Sequence, residues 1–240
     1  MSVLEFIASS AVMLVAACLQ GSAGLGMALL AAPLLLLVDP ALVPAPIIVN
    51  GFVLVVSMAV RERKAIVAAE VSWAVLGAAL GSAAAAVLLS RISSETFGLV
   101  FGIVLLAAVA ISLFRFESKA GPRAMLGAGV LSGLMGTTTS IGGPPLALVL
   151  QNTHGAHLRA TLSAYFIASS LLALGGLAFV GRFGLEELRL ALFLLPGTIA
   201  GLMISNYTRQ WLVPKYVRPA VLVLSTAAGV LILSRYFLQS

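Results

Sequence analysis

Charge is what this chain has least of. Only 9% of its 240 residues are Asp, Glu, Lys or Arg, against about a quarter in ordinary soluble domains. Between Glu5 and Asp39 no charged side chain occurs, a run well beyond the ~18 apolar residues that already suggest a membrane span. Cysteine is reduced to Cys18 alone, which excludes an internal disulfide and a cysteine-ligated metal cluster. The string Val15-Ala16-Ala17-Cys18 looks like a lipoprotein cleavage site, but Glu5 and no Lys or Arg precede it. A signal peptide needs a basic start, so Cys18 reads as a small buried hydrophobe. Histidine is reduced to His154 and His157, a metal-ligand spacing without a third ligand nearby. They read as loop residues, with proton coupling as the alternative. The apolar runs hold no Asp and no well-placed His. No catalytic residue, metal or cofactor is therefore expected, and the chain does not read as an enzyme.

What is present is apolar mass. Hydrophobic residues make up 61% of the chain and the mean hydropathy is +1.13. A formal net charge of +6 and a pI near 10.1 could suggest nucleic acid. The basic residues, however, lie in short loops between apolar runs, the pattern of the positive-inside rule, and no nucleic-acid partner is expected. Apolar runs and their breakers predict ten helical segments, near 3–20, 25–38, 44–60, 70–90, 95–114, 124–136, 142–152, 160–180, 187–206 and 216–236. The second and seventh fall short of the ~20 residues a span needs. Each reads as the returning arm of a re-entrant or broken hairpin.

The two hairpins break at matching places. The first break is Gln20-Gly21-Ser22-Ala23-Gly24-Leu25-Gly26; the second runs from Gly136 through Thr137-Thr138-Thr139-Ser140-Ile141-Gly142-Gly143 to Pro145. Adding 116 carries Gly26 onto Gly142 and Ser22 onto Thr138; adding 120 carries Gly77, Gly81 and Arg115 onto Gly197, Gly201 and Arg235. Gly77/Gly81 and Gly197/Gly201 are small-xxx-small spacings that let helices approach closely in lipid. The expectation is an all-α polytopic membrane protein of two repeats, 1–119 and 120–240, each a hairpin plus three transmembrane helices.

Loop charge orients the repeats. Arg61, Arg63, Lys64, Arg115, Lys119, Arg123, Arg159, Arg209, Lys215 and Arg218 fall on one side; Arg91, Arg182, Arg189 and Arg235 fall on the other. Ten against four places the first set in the cytoplasm and both termini outside the inner membrane. Each half then crosses a net odd number of times, which makes the repeats inverted. Inverted repeats with glycine- or proline-interrupted short segments point to a transporter's binding site. Trp73 and Trp211 read as interface markers.

Small hydroxyl residues and glycines fill both breaks, where two short helices begin. Helix starts carry unpaired N–H groups and partial positive charge, and glycine lets a ligand approach them. Ser22, Gly24 and Gly26 in the first break, with Thr137, Thr138, Thr139, Ser140, Gly142 and Gly143 in the second, therefore form a candidate oxyanion site. No acidic residue lies in either break, which argues against a metal-cation site. The competing reading makes the glycines packing devices and lets the hydroxyls bond back to the preceding turn. Gly21, Gly24 and Gly26 superficially resemble a dinucleotide fingerprint, without the strand and acid it requires. Arg159 is either a loop anchor or an entry contact for the anion. Asn50 and Tyr165 either line the site or bond across helices, Gln20 sits beside the first break, and Gln151 and Asn152 read as caps.

These residues also resemble a known family. Gly136 to Pro145 resembles the second-half signature of the TauE/SafE sulfite and organosulfonate exporters, and Gln20 to Pro33 resembles the first. The resemblance covers essentially the whole chain and implies a secondary transporter of sulfite or another small anion. It implies a small-molecule anion and the lipid bilayer as partners, with a homodimer as a further option. Uptake or exchange of a carboxylate is the alternative within transport; a non-transporting assembly protein or a membrane-embedded enzyme is the alternative of another class.

The orientation is directly testable. Cysteines introduced at Ser2 and Gln239 should react with a membrane-impermeant thiol reagent on intact cells. Labelling only after lysis would overturn the inverted arrangement.

Overall fold

The computed structural model describes residues 3–23, 27–62, 68–114, 121–153, 155–208 and 214–239. Among these, ten α-helices and one 3-10 turn occur and no strand does. They are α1 (Val3–Ala23), α2 (Met27–Val38), α3 (Ala45–Glu62), α4 (Ala68–Arg91), α5 (Ser94–Leu113), α6 (Pro122–Thr139), α7 (Gly143–Val149), α8 (Gly155–Phe179), α9 (Leu185–Thr208) and α10 (Pro214–Gln239). The 3-10 turn, Pro40–Leu42, is capped by Asp39, whose side chain accepts from the Ala41 N–H.

Seven stretches are long and apolar enough to cross a membrane, on α1, α3, α4, α5, α8, α9 and α10. Their outward faces are apolar; Phe179, Leu238 and Val3 are each more than three-quarters exposed. This is a multi-pass membrane protein. At about 1.5 Å per residue, the 7 residues of α7 and the 12 of α2 are too short to cross alone.

The ten elements agree with the segments read from the sequence, and two differences affect the site. The helix α6 does not break at Gly136 but runs through Thr139. In this added turn Thr138 donates to Leu134 O and Thr139 to Met135 O, so their hydroxyls find partners within the helix. The helix α7 is correspondingly shorter than 142–152. Gly24 and Gly26 lie outside the described residues, as do His154 and Trp211.

Helix pairing comes in matched sets. The pair α4–α6 is matched by α9–α1, α4–α8 by α9–α3, α1–α2 by α6–α7, and α2–α10 by α7–α5. The pairs α3–α8 and α5–α10 each join corresponding helices. The glycines show the match atom by atom. A Cβ on Gly77 would run into the Leu126 carbonyl, and one on Gly197 into the Ser10 carbonyl. A Cβ on Gly81 would meet Val130 O, and one on Gly201 would meet Leu14 O. Adding 116 carries Ser10 and Leu14 onto Leu126 and Val130, so both ends of each contact correspond.

Polar ties join chain ends that loop charge puts on one side. Arg182 donates to Ile92 O at 2.9 Å, linking the turn after α8 to the turn after α4. Arg218 donates to Ser112 O, linking the start of α10 to the end of α5. Deeper, Asn50 donates to Ala191 O at 3.0 Å and accepts from Thr198 at 2.7 Å, binding α3 to α9.

Lipid tails supply no hydrophobic drive between helices, so close packing of small residues does the holding. Gly77→Leu should therefore cost at least the ~1–3 kcal/mol of overpacking, because its neighbours are backbone atoms that cannot rotate away. Gly127→Leu, where a Cβ meets nothing within 4 Å, should stay within about 0.5 kcal/mol of the parent. Thermal unfolding in detergent compares the two; equal melting temperatures would refute the packing role of Gly77.

Candidate functional site

A cavity of about 600 Å³ opens between the two hairpins. Its lining includes residues of α6 and α7, Ser82 in the middle of α4, Gln20 of α1 and Met27 of α2. The exposed lining residues Phe114, Asn152 and Arg218 mark its mouth. They stand near the ends of α5 and α7 and the start of α10.

The second break supplies the polar wall. Small and hydroxyl residues recur on one face of α6 at Ser132, Gly133, Gly136, Thr137 and Ser140, and all five line the cavity. Thr137 is fully buried and donates to Ser82 Oγ at 2.9 Å. Ser140 adopts the left-handed conformation, φ 68°, and its hydroxyl donates to Pro44 O at 2.9 Å. A non-glycine residue in that region is strained, and such strain persists only where surrounding structure fixes it. Here it turns the chain out of α6 and presents Ser140 to the cavity.

The helix starts are less generous than a generic N-terminus. A helix ordinarily leaves four N–H groups unpaired. At α7, Pro144 and Pro145 have none, so only Gly142 and Gly143 can donate. At α2, the Met27 N–H is already taken by Gln20 Oε1 at 3.0 Å. Side-chain hydroxyls and the Gln20 amide, more than backbone ends, supply the polar lining. Gly142 serves packing as well: a Cβ there would meet Ser132 O at 2.9 Å rather than point into the cavity. The Ser132 hydroxyl in turn donates to Gly142 O and pins the break to α6.

The candidate residues therefore separate. Thr137, Ser140, Gly142 and Gly143 come together along the cavity wall. The Thr138 and Thr139 hydroxyls are committed to their own helix, the latter also accepting from the Ile141 N–H. The Ser22 hydroxyl meets Thr208 Oγ1 at 3.1 Å, against α9. Asn50 is committed to α9, though its neighbours Ile48 and Gly51 do line the cavity. Arg159 stands near the start of α8, outside the lining among the described residues. Gly24 and Gly26 are not described.

Sequence reading did not single out Ser82, Ser132 and Ser169, and took Arg218 only as a loop charge. The helical spacing of small residues from Ser132 to Ser140 was the available signal for the first wall. Among the described lining residues Arg218 is the one charged group, and no carboxylate is present. No three His, Cys, Asp or Glu side chains converge among the described residues in a way that could hold a metal. A carboxylate-free lining with a few small polar groups and a cation at its mouth is compatible with a small anion.

Residues 9–232 match the model of a family described as sulfite exporter TauE/SafE, nearly the whole chain. No curated protein and no solved structure matches it.

Proposed function

The chain belongs to the TauE/SafE sulfite exporter family, and we propose that it exports sulfite or a small organosulfonate across the inner membrane by alternating access. The observation that carries this reading is the cavity: carboxylate-free, with Ser132, Thr137 and Ser140 along one wall and Arg218 the one charged group among its described lining residues. The mouth lies on the basic face, which the positive-inside rule assigns to the cytoplasm. The conformation then corresponds to a loading state. Arg218, with Arg159 as a further entry contact, raises the local anion concentration. Ser140 and Thr137, with Gly142 and Gly143, receive the anion at depth. Gly24 and Gly26 keep their candidate role from the first break.

The matched helix pairs support two inverted repeats, 1–119 and 120–240, as the moving architecture. Such repeats rock about a site at their interface, and here the cavity lies between the two hairpins. Expelling an anion from a cell negative inside is favourable by about 2.3 kcal/mol per charge per 100 mV. Export needs no further coupling on that account.

Flux in proteoliposomes tests the reading. Sulfite and ethanesulfonate should move, faster with the potential negative on the loading side. Transport of acetate and succinate alone would replace the sulfur oxyanions by carboxylates as substrate. Thr137→Val, which unseats the Ser82 hydroxyl beside it in the cavity wall, should weaken the apparent affinity about tenfold, the worth of one hydrogen bond at roughly 1.5 kcal/mol. Thr138→Val should leave it unchanged, since that hydroxyl serves its own helix. Equal losses in both variants would remove the cavity wall from the site.

A further inference from the structure

Gln20 stands in the last turn of α1, and Met27 opens α2 seven residues later. The Met27 N–H donates to Gln20 Oε1 at 3.0 Å. A backbone N–H needs an acceptor, so this contact settles which end of the carboxamide is which. The oxygen is spent on the helix start. The nitrogen, with two protons to give, is turned away from it and has no hydrogen-bond partner among the described residues. The side chain is only partly buried and lines the cavity.

The second hairpin treats the same place differently. Adding 116 carries Gln20 onto Gly136 and Met27 onto Gly143. A Cβ at Gly136 would meet Gly142 Cα at 3.5 Å, so this position faces its own break as Gln20 does. With no side chain at 136, nothing from there reaches back to the Gly143 N–H, and both glycines line the cavity. The first hairpin withdraws the corresponding backbone donor and sets a carboxamide nitrogen in the lining instead. The two corners also share one core: Met27 is buried in the same cluster as Met135 and Ile141, on either side of the turn out of α6.

We propose that the Gln20 carboxamide binds the transported anion from the first hairpin, held in orientation by the Met27 N–H. This rests on the transport reading above and deepens it, adding a donor at the α1–α2 corner to the wall that α6 and α7 provide. The carboxamide cannot turn over without leaving the Met27 N–H unpaired, which costs stability. Two N–H groups on one uncharged nitrogen suit the neighbouring oxygens of sulfite or of a sulfonate head, and they supply hydrogen bonds without a fixed charge.

The test uses the full chain purified in detergent, with sulfite and ethanesulfonate titrated as probes and melting temperature recorded alongside. Three substitutions separate the donor from the acceptor. Gln20→Met removes both at similar length, Gln20→Glu keeps an oxygen for the Met27 N–H, and Gln20→Lys keeps donors without that oxygen. Binding should follow the donor: about tenfold or more weaker in Gln20→Met and Gln20→Glu, and at least as tight as the parent's in Gln20→Lys. Melting temperature should follow the Met27 bond instead, near the parent's in Gln20→Glu and lower in the other two. Parent-like affinity in Gln20→Met would overturn the proposal, leaving any loss in Gln20→Glu to charge alone. Parent-like affinity in Gln20→Glu with losses in the other two would overturn it as well, because binding would then need the acceptor. Equal losses in all three would reduce Gln20 to a spacer in the wall and overturn it too. A parent protein that binds neither probe would instead remove the transport reading itself.

Discussion

Two backbone-to-backbone contacts hold this molecule together, and glycine makes both possible. In lipid no apolar surface is hidden by bringing helices together, because the tails are as apolar as leucine. What remains is dispersion at close range, which grows steeply as backbones approach. Gly77 and Gly81 bring α4 against α6, and Gly197 and Gly201 bring α9 against α1. The long helix of each hairpin, α1 or α6, is thereby clamped by a helix of the opposite half. The short arms α2 and α7, packed against α10 and α5, border the cavity from between these clamps.

Much of this was legible because it is one-dimensional. Charge depletion, the ten apolar segments and the two short arms are properties of consecutive residues, and the structure reproduces them closely. The glycine correspondence was legible for the same reason: a constant offset of 120 survives in sequence as it does in space. The role of each hydroxyl was not. In a glycine-rich helix a threonine can donate to the carbonyl one turn back or to something across the helix. Thr138 does the former and Thr137 the latter, although they are neighbours in a run of three identical residues. Nothing local distinguishes them; only the position of Ser82 does. Ser82, Ser132 and Ser169 escaped notice because single serines within long apolar helices are unremarkable until the fold faces them toward one space.

The matched helix pairs agree in packing and differ in chemistry. In one, α3 meets α9 through Asn50, whose amide oxygen accepts from Thr198. In the matched contact α8 meets α4, and Ala78 occupies the place that corresponds to Thr198. There the polar group is Tyr165, beside an alanine with nothing to give or accept. The first contact is thus closed by a hydrogen bond across the helices, whereas the second is closed by apolar packing around the Tyr165 ring. The breaks repeat this contrast: Gln20 covers the Met27 N–H in the first, whereas the second keeps its two glycine N–H groups uncovered by side chains.

The two prolines at the start of α7 bear on the half of a transport cycle in which nothing is carried. An unloaded binding surface holds solvent in proportion to its unpaired donors, and every tightly held water must be shed before the walls can close. Pro144 and Pro145 halve the backbone donors at that helix start. On the transport reading proposed above, an empty site at this helix start would have fewer backbone donors to rehydrate before the walls close.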